Sequence, residues 1–531
     1  QLEDYSAAGI QREIAALHDF EKKVEAIDPT ALDAPVAADR DILLNNIKSQ
    51  LLTLEVIRPW EKNPDSYSTG VTNSIFTIME RPYAPVNIRF RAAIEREKKI
   101  PQALEEARRN LKNPPRIFTE IALEQVGDDI SFFQHDVPEA FADATDPGDK
   151  AAFATANAAV IAALQSYEAW MKTDLLARSN GDFRLGADTF RKKLSYDEMV
   201  DLPLDRLLQI AFDDLHKNQA EFARVAKEVD PTKTPQQVLA ELAAIHPAPD
   251  KLLGAFQDTF NSLISFIDTH HIITIPSKVE PTLEETPPFM RATTFASMDP
   301  PGPFETGSNK AYFNVTLPEK GWTAQHIAEH MAEFNVGTVI STSVHEAYPG
   351  HYVQFLWMPE FPSKIRKLLG ANTNIEGWAH YCEQMMLDEG YDAPPPNATA
   401  EQVRESRLIR LGQLQDALLR DARFVNAIKL HTGEGEPGGK WTLEQAEDFF
   451  VQQGYQSRAA AVVETKRGTS DPTYLYYTLG KLEIMKLRTD LEKKEGPAFN
   501  LEQFHDDFMR QGFAPIKIIR RAMLHNDSPV L

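Results

Sequence analysis

Val344-His345-Glu346-Ala347-Tyr348-Pro349-Gly350-His351-Tyr352 sets two histidines and a glutamate within seven residues, directly after the apolar run 336–344. The pattern is close to H-E-x-x-H, in which two histidines one helical turn apart hold zinc and the adjacent glutamate acts on water. Here the second histidine comes six residues after the first, and Pro-Gly stands where a helix should continue. On a regular helix six residues turn about 600°, which leaves the two side chains roughly 120° apart and unable to share an ion. Proline removes a backbone donor and clashes with the preceding turn, while glycine permits unusual torsions. A two-residue bulge at Pro349-Gly350 returns His351 to the face of His345. A plain helix end scatters the pair instead.

A second segment bears on this choice. In Glu376-Gly377-Trp378-Ala379-His380-Tyr381-Cys382-Glu383, positions 376, 380 and 383 lie at i, i+4 and i+7, on one face of a helix. A carboxylate there can complete a set of two histidines and one glutamate, leaving a fourth metal position for water. The blander reading is an exposed polar row, but Trp378, Tyr381 and Met385 argue for burial, and a buried carboxylate needs a partner. Upstream, His326-Ile327-Ala328-Glu329-His330 fits the inverted H-x-x-E-H pattern. It falls on a helix, 323–334, that reads as a polar surface helix, so a chance match explains it better.

Outward from these motifs, the chain reads as mainly α: a large helical two-lobed protein with a small antiparallel sheet beside the histidine-bearing helix. Apolar residues recur at helical spacing over 10–27, 39–57, 87–111, 116–133 and 149–176. Ser195 with Glu198 three residues on predicts a capping box opening a helix over 195–229. The β-branched runs 271–276 and 310–316 predict strands, with a proline-rich stretch between them. The proline run at 276–288 is the natural division between an N-terminal helical lobe, 1–275, and a second lobe, 276–531, carrying the motifs.

Composition narrows the partners. The chain has 531 residues and a net charge of −22, which argues against nucleic acid or an anionic membrane as a binding surface. Cys382 is the only cysteine, so no intrachain disulfide forms and thiolate metal sites are excluded. No apolar stretch reaches the length of a membrane span. The chain begins at Gln1 rather than Met, which predicts a removed signal peptide and a periplasmic or secreted protein.

His345-Glu346, Tyr348-Pro349-Gly350-His351 and Glu376-Gly377-Trp378-Ala379 together resemble the motifs of a large bacterial family catalogued as a domain of unknown function. That family is similar to helical metallopeptidases of the gluzincin type, such as thimet oligopeptidase and angiotensin-converting enzyme. The segment from Arg423 to His431, Glu464-x-x-Arg467, and Pro472 with Tyr477-x-x-Gly480 extend the resemblance over about residues 340–490. It implies one zinc ion held by His345, His351 and Glu376, with Glu346 as general base in the hydrolysis of short peptides. Tyr477, or failing it His431, would donate to the oxyanion. Arg467 would bind a substrate carboxylate or pair with Glu464. His380 would orient Glu376 or the water, or simply pack in the core. The strand with Tyr312 would hold substrate backbone by strand addition along a sheet edge. Two rivals remain: hydrolysis of an amide or ester that is not a peptide, and a helical binding protein with a degenerate site.

Overall fold

Helix-forming runs broken by proline and glycine dominate the chain, and they fold as helices. The computed structural model describes residues 2–286, 291, 294–305 and 310–531, which are mainly helical with one small sheet. The N-terminal part stacks helices such as Asp65–Glu80, Val86–Glu97, Arg116–Gln134 and Pro147–Trp170 around their own core of Val71, Ile75, Phe90, Phe133 and Leu164. The expected helix over 87–111 is two helices, Val86–Glu97 and Ile100–Asn110, with Pro101 in the first turn of the second. Proline fits there because that turn's N–H groups have no helical partner.

The capping box at Ser195 does not form. Ser195 lies inside the helix Ala187–Glu198, which ends at Met199 with φ 54°, and the next helix, Leu204–Val229, begins after Pro203. Glu198 is buried instead, accepting from the backbone N–H groups of Asn372 and Thr373 at 3.2 and 2.8 Å. Tertiary contact has overridden a local signal.

The sheet also differs from expectation. Its strands are β1 (Thr282–Glu285), β2 (Ala296–Asp299) and β3 (Tyr312–Val315), in the order β1-β3-β2. β1 pairs with β3 in parallel and β2 pairs with β3 antiparallel, so the sheet is mixed, not antiparallel. β3, with Phe313 and Val315 fully buried, takes the middle place and not the edge expected of the Tyr312 strand. Residues 271–276 form no strand. Side chains take up their backbone groups: His505 Nδ1 lies 2.7 Å from the Ile272 carbonyl, Asp506 accepts from the Thr274 N–H, and the Trp357 indole donates to the Thr274 carbonyl. The expected proline-rich stretch falls partly on 287–290 and 292–293, outside the described residues.

Four helices carry the motifs. They are the histidine helix Val336–Glu346, the glutamate helix Asn372–Asp388, the arginine helix Ala400–Thr432 and the tyrosine helix Tyr476–Glu495. The first two help build the largest core, with Ala38, Phe260, Phe313, Val344, Trp378 and Ile519. The last two pack into another core with Phe190, Leu207, Phe424, Ile428 and Leu479. None of the described helices is long and apolar enough to cross a membrane.

Candidate metal centre

The histidine helix stops at Glu346, and a short helix restarts at His351 and runs to Leu356. Between them the chain folds back on the last turn: the N–H groups of Ala347 and Tyr348 both donate to the Ser343 carbonyl, and that of Gly350 to the Val344 carbonyl at 2.9 Å. The Tyr348–Pro349 bond is cis. A Cβ at residue 350 would sit 1.8 Å from the His345 carbonyl oxygen, so only glycine fits this return. The break therefore unites the two histidines rather than scattering them. Their ring centroids are 4.8 Å apart, with the planes at 86°.

Glu376 closes the set. The Nε2 atoms of His345 and His351 each lie 3.4 Å from Glu376 Oε2, and the three donor atoms all fall within 4.8 Å of one another. Glu376 Oε2 and His351 Nδ1 are buried and make no hydrogen bond. Ligand atoms about 2.1 Å from a common tetrahedral centre lie roughly 3.4 Å apart, so the observed spacing suits a small divalent ion. Two imidazole nitrogens and a carboxylate are also the donor set that zinc favours. Among the described residues, no other group brings three such donors together. The rival pair is turned elsewhere: the His326 ring stacks on Trp322 at 3.9 Å, and His330 Nε2 lies 2.8 Å from the Thr316 carbonyl.

Behind the ligands stands a residue with no role assigned from the sequence, Glu383. Its Oε1 is 2.6 Å from His345 Nδ1 and 3.0 Å from Arg420, and its Oε2 is 3.0 Å from His380 Nδ1. With Nδ1 committed to Glu383, His345 turns Nε2 toward Glu376. His380 thus orients Glu383, not Glu376. Burial works against charge on His345, but Glu376 and Glu383 outweigh it and lift its pKa to about 9. Glu383 is buried too, yet Arg420 and His380 hold its carboxyl far below the usual range. Burial drops His380 to about 3, which keeps it neutral. The pocket is built to hold positive charge where the two Nε2 atoms meet Glu376.

Close backbone packing sets these distances. Gly377, next to Glu376, meets Gly480 of the tyrosine helix so tightly that a Cβ at 377 would lie 2.6 Å from the Gly480 Cα. That contact brings Tyr477, one turn before Gly480, against the site, its ring stacked 6.4 Å from the His345 ring. The histidine and arginine helices cross at Gly337 and Gly412, and roughly two turns further along each stand His345 and Arg420.

The Tyr477 hydroxyl accepts from Arg467 Nη2 at 3.1 Å. Burial and the charge of Glu376 raise its pKa, so it stays protonated. Glu464 pairs with Arg423 through two bonds of 2.7 and 2.8 Å, and not with Arg467 as its spacing suggested. Glu346 is half-buried, and no hydrogen bond or ion pair engages its carboxylate among the described residues. His431 lies behind this group: its Nε2 is 2.7 Å from the Gly468 carbonyl and its ring packs on Phe183 and Phe190. Burial lowers its pKa to about 4.

No curated protein matches the chain. Solved structures similar to it include two bacterial proteins. One, from Shewanella oneidensis, is described as "a putative lipoprotein of unknown function"; it is 26% identical, with a TM-score of 0.79 over 98% of this chain and 93% of that one. The other, a "putative lipoprotein" from Colwellia psychrerythraea, is 18% identical, with a TM-score of 0.80 over 98% and 91%, a likeness of fold alone. One family, described as bacterial protein of unknown function (DUF885), matches residues 1–523, nearly the whole chain. The chain belongs to the DUF885 family.

Proposed function

We propose that this protein is a zinc-dependent hydrolase that cleaves short peptides. One observation carries the reading: two histidine nitrogens stand 3.4 Å from the same carboxylate oxygen, which is buried without a hydrogen bond. A divalent ion held by His345, His351 and Glu376 would acidify water and polarise a carbonyl. Glu346 follows a ligand directly in the chain, and its carboxylate, unengaged among the described residues, is available to take a proton from water and pass it to the leaving amine. Tyr477 accepts from Arg467 and so keeps its own hydrogen for a developing oxyanion. Glu383 and Arg420 hold His345 in position. With β3 in the middle of the sheet, strand addition of a peptide falls to an edge strand, and β2 packs against the histidine helix. A periplasmic or secreted location belongs to the same proposal, supported by the description of both structural neighbours as lipoproteins.

The test pairs metal content with turnover. Protein purified without chelator should carry about one zinc per chain by elemental analysis. Glu346→Gln should keep the metal while peptide hydrolysis falls about 10²- to 10⁴-fold. A Gln variant that cleaves at the unmodified rate would overturn the mechanism.

A further inference from the structure

Three guanidinium groups surround the Tyr477 ring, at 4.9 Å for Arg423, 5.7 Å for Arg420 and 5.8 Å for Arg467. Two are committed. Arg423 is locked bidentately on Glu464, and Arg420 is paired with Glu383; their side chains are 8% and 13% exposed. Arg467 is different. Among the described residues its side chain makes one hydrogen bond, to the Tyr477 hydroxyl. Its carboxylate neighbour, Asp471, stands 3.5 Å away and already accepts from the Tyr476 hydroxyl at 2.9 Å. Its side chain is 40% exposed.

We propose that Arg467 binds the free α-carboxylate of a peptide substrate, so that the enzyme removes residues from the C-terminal end; the inference rests on the hydrolase reading above. A guanidinium presents paired N–H donors in a planar fork that matches a carboxylate, and Arg467 has donors to spare. Its place also fits. The tyrosine it touches stacks on the ligand His345, so the anchor stands one side chain away from the candidate ligands. In the reaction the oxygen of water bonds to the carbonyl carbon, the C–N bond breaks, and the displaced proton ends on the leaving amine. The α-carboxylate on Arg467 is unchanged throughout. It fixes which bond is presented.

The competing role for Arg467 is to position Tyr477 alone, and the two roles separate experimentally. The probes are an N-acetylated alanine tetrapeptide as the free acid and as its C-terminal amide, given to zinc-loaded full-length protein. The unmodified protein should favour the acid by about 10- to 100-fold in kcat/KM, as expected of charged hydrogen bonds. Arg467→Met should remove that preference through the KM of the acid, over and above any fall in kcat that acid and amide share through Tyr477, and Arg467→Lys should restore part of it. Equal cleavage of acid and amide by the unmodified protein, or an acid preference that survives in Arg467→Met, would overturn the proposal. Calorimetric binding to the Glu346→Gln protein reads the anchor without turnover. Acid bound more tightly than amide, with the difference lost on adding Arg467→Met, supports the proposal even if the hydrolase reading fails. No difference overturns it even if hydrolysis is seen.

Discussion

At the scale of single residues, the centre depends on groups one step removed from the ligands. Glu383 accepts from His345, His380 and Arg420 together. A glutamine there sets its amide N–H groups against donors, so Glu383→Gln should leave His345 poorly oriented. Zinc affinity should fall about 10- to 100-fold in a competition titration against a chelator, with the fold intact by circular dichroism. Tyr477→Phe differs: it removes a donor and no ligand contact. The expected result is a kcat roughly 10²- to 10³-fold lower at unchanged zinc content. Glu383 lies on the helical face shared with Glu376 and His380, so its burial was legible. Its partner Arg420 was not, because nothing local ties it to a histidine 75 residues earlier.

At the scale of elements, glycines that let helices touch set the site. A Cβ at residue 480 would lie 2.0 Å from the Thr373 carbonyl oxygen, on the turn before Glu376. Gly480→Ala should therefore prise the glutamate and tyrosine helices apart, costing about 1–3 kcal/mol and weakening zinc binding together with the melting temperature. Gly127, inside the helix Arg116–Gln134, is open: a Cβ added there would meet nothing within 4 Å. Gly127→Ala should stabilise by about 0.5–1 kcal/mol in urea titration. Most helices were legible from spacing; the capping boxes at Thr234 and Thr399 emerge in the structure. Ser195 carried the same local signal and lost to the contact of Glu198 with the glutamate helix.

At the scale of the whole molecule, distant cores carry their own titrating groups. Glu97 is fully buried in the N-terminal helices, held among the described residues only by Asn157 at 3.2 Å, and burial pushes its carboxyl up from 4.5 to about 8. The folded state keeps this proton after the unfolded chain has lost it. Stability from this group is therefore complete below about pH 4.5 and is lost as pH rises toward 8. Glu97→Gln retains an acceptor for Asn157 and removes the titration. It should raise thermal stability at pH 8–9, by on the order of a few kcal/mol, and change little near pH 4. Equal gains at both values would mean that the carboxyl does not titrate in this window.

Periodicity, capping and the torsions of two residues were enough to fix the helical class, most helix ends, the break at Pro349-Gly350 and the candidate ligands. They left open whether the break joined the histidines or parted them. That was decided by the fold-back of Gly350 onto the His345 carbonyl, a contact between backbone atoms that no side-chain pattern encodes. The strand order of the sheet, the pairing of Glu464 with Arg423, and the assembly of Glu383, Arg420 and Tyr477 around His345 were likewise tertiary outcomes. Each joins helices or strands far apart in the chain, and the joining is done by packing, which acts on shape once the elements meet.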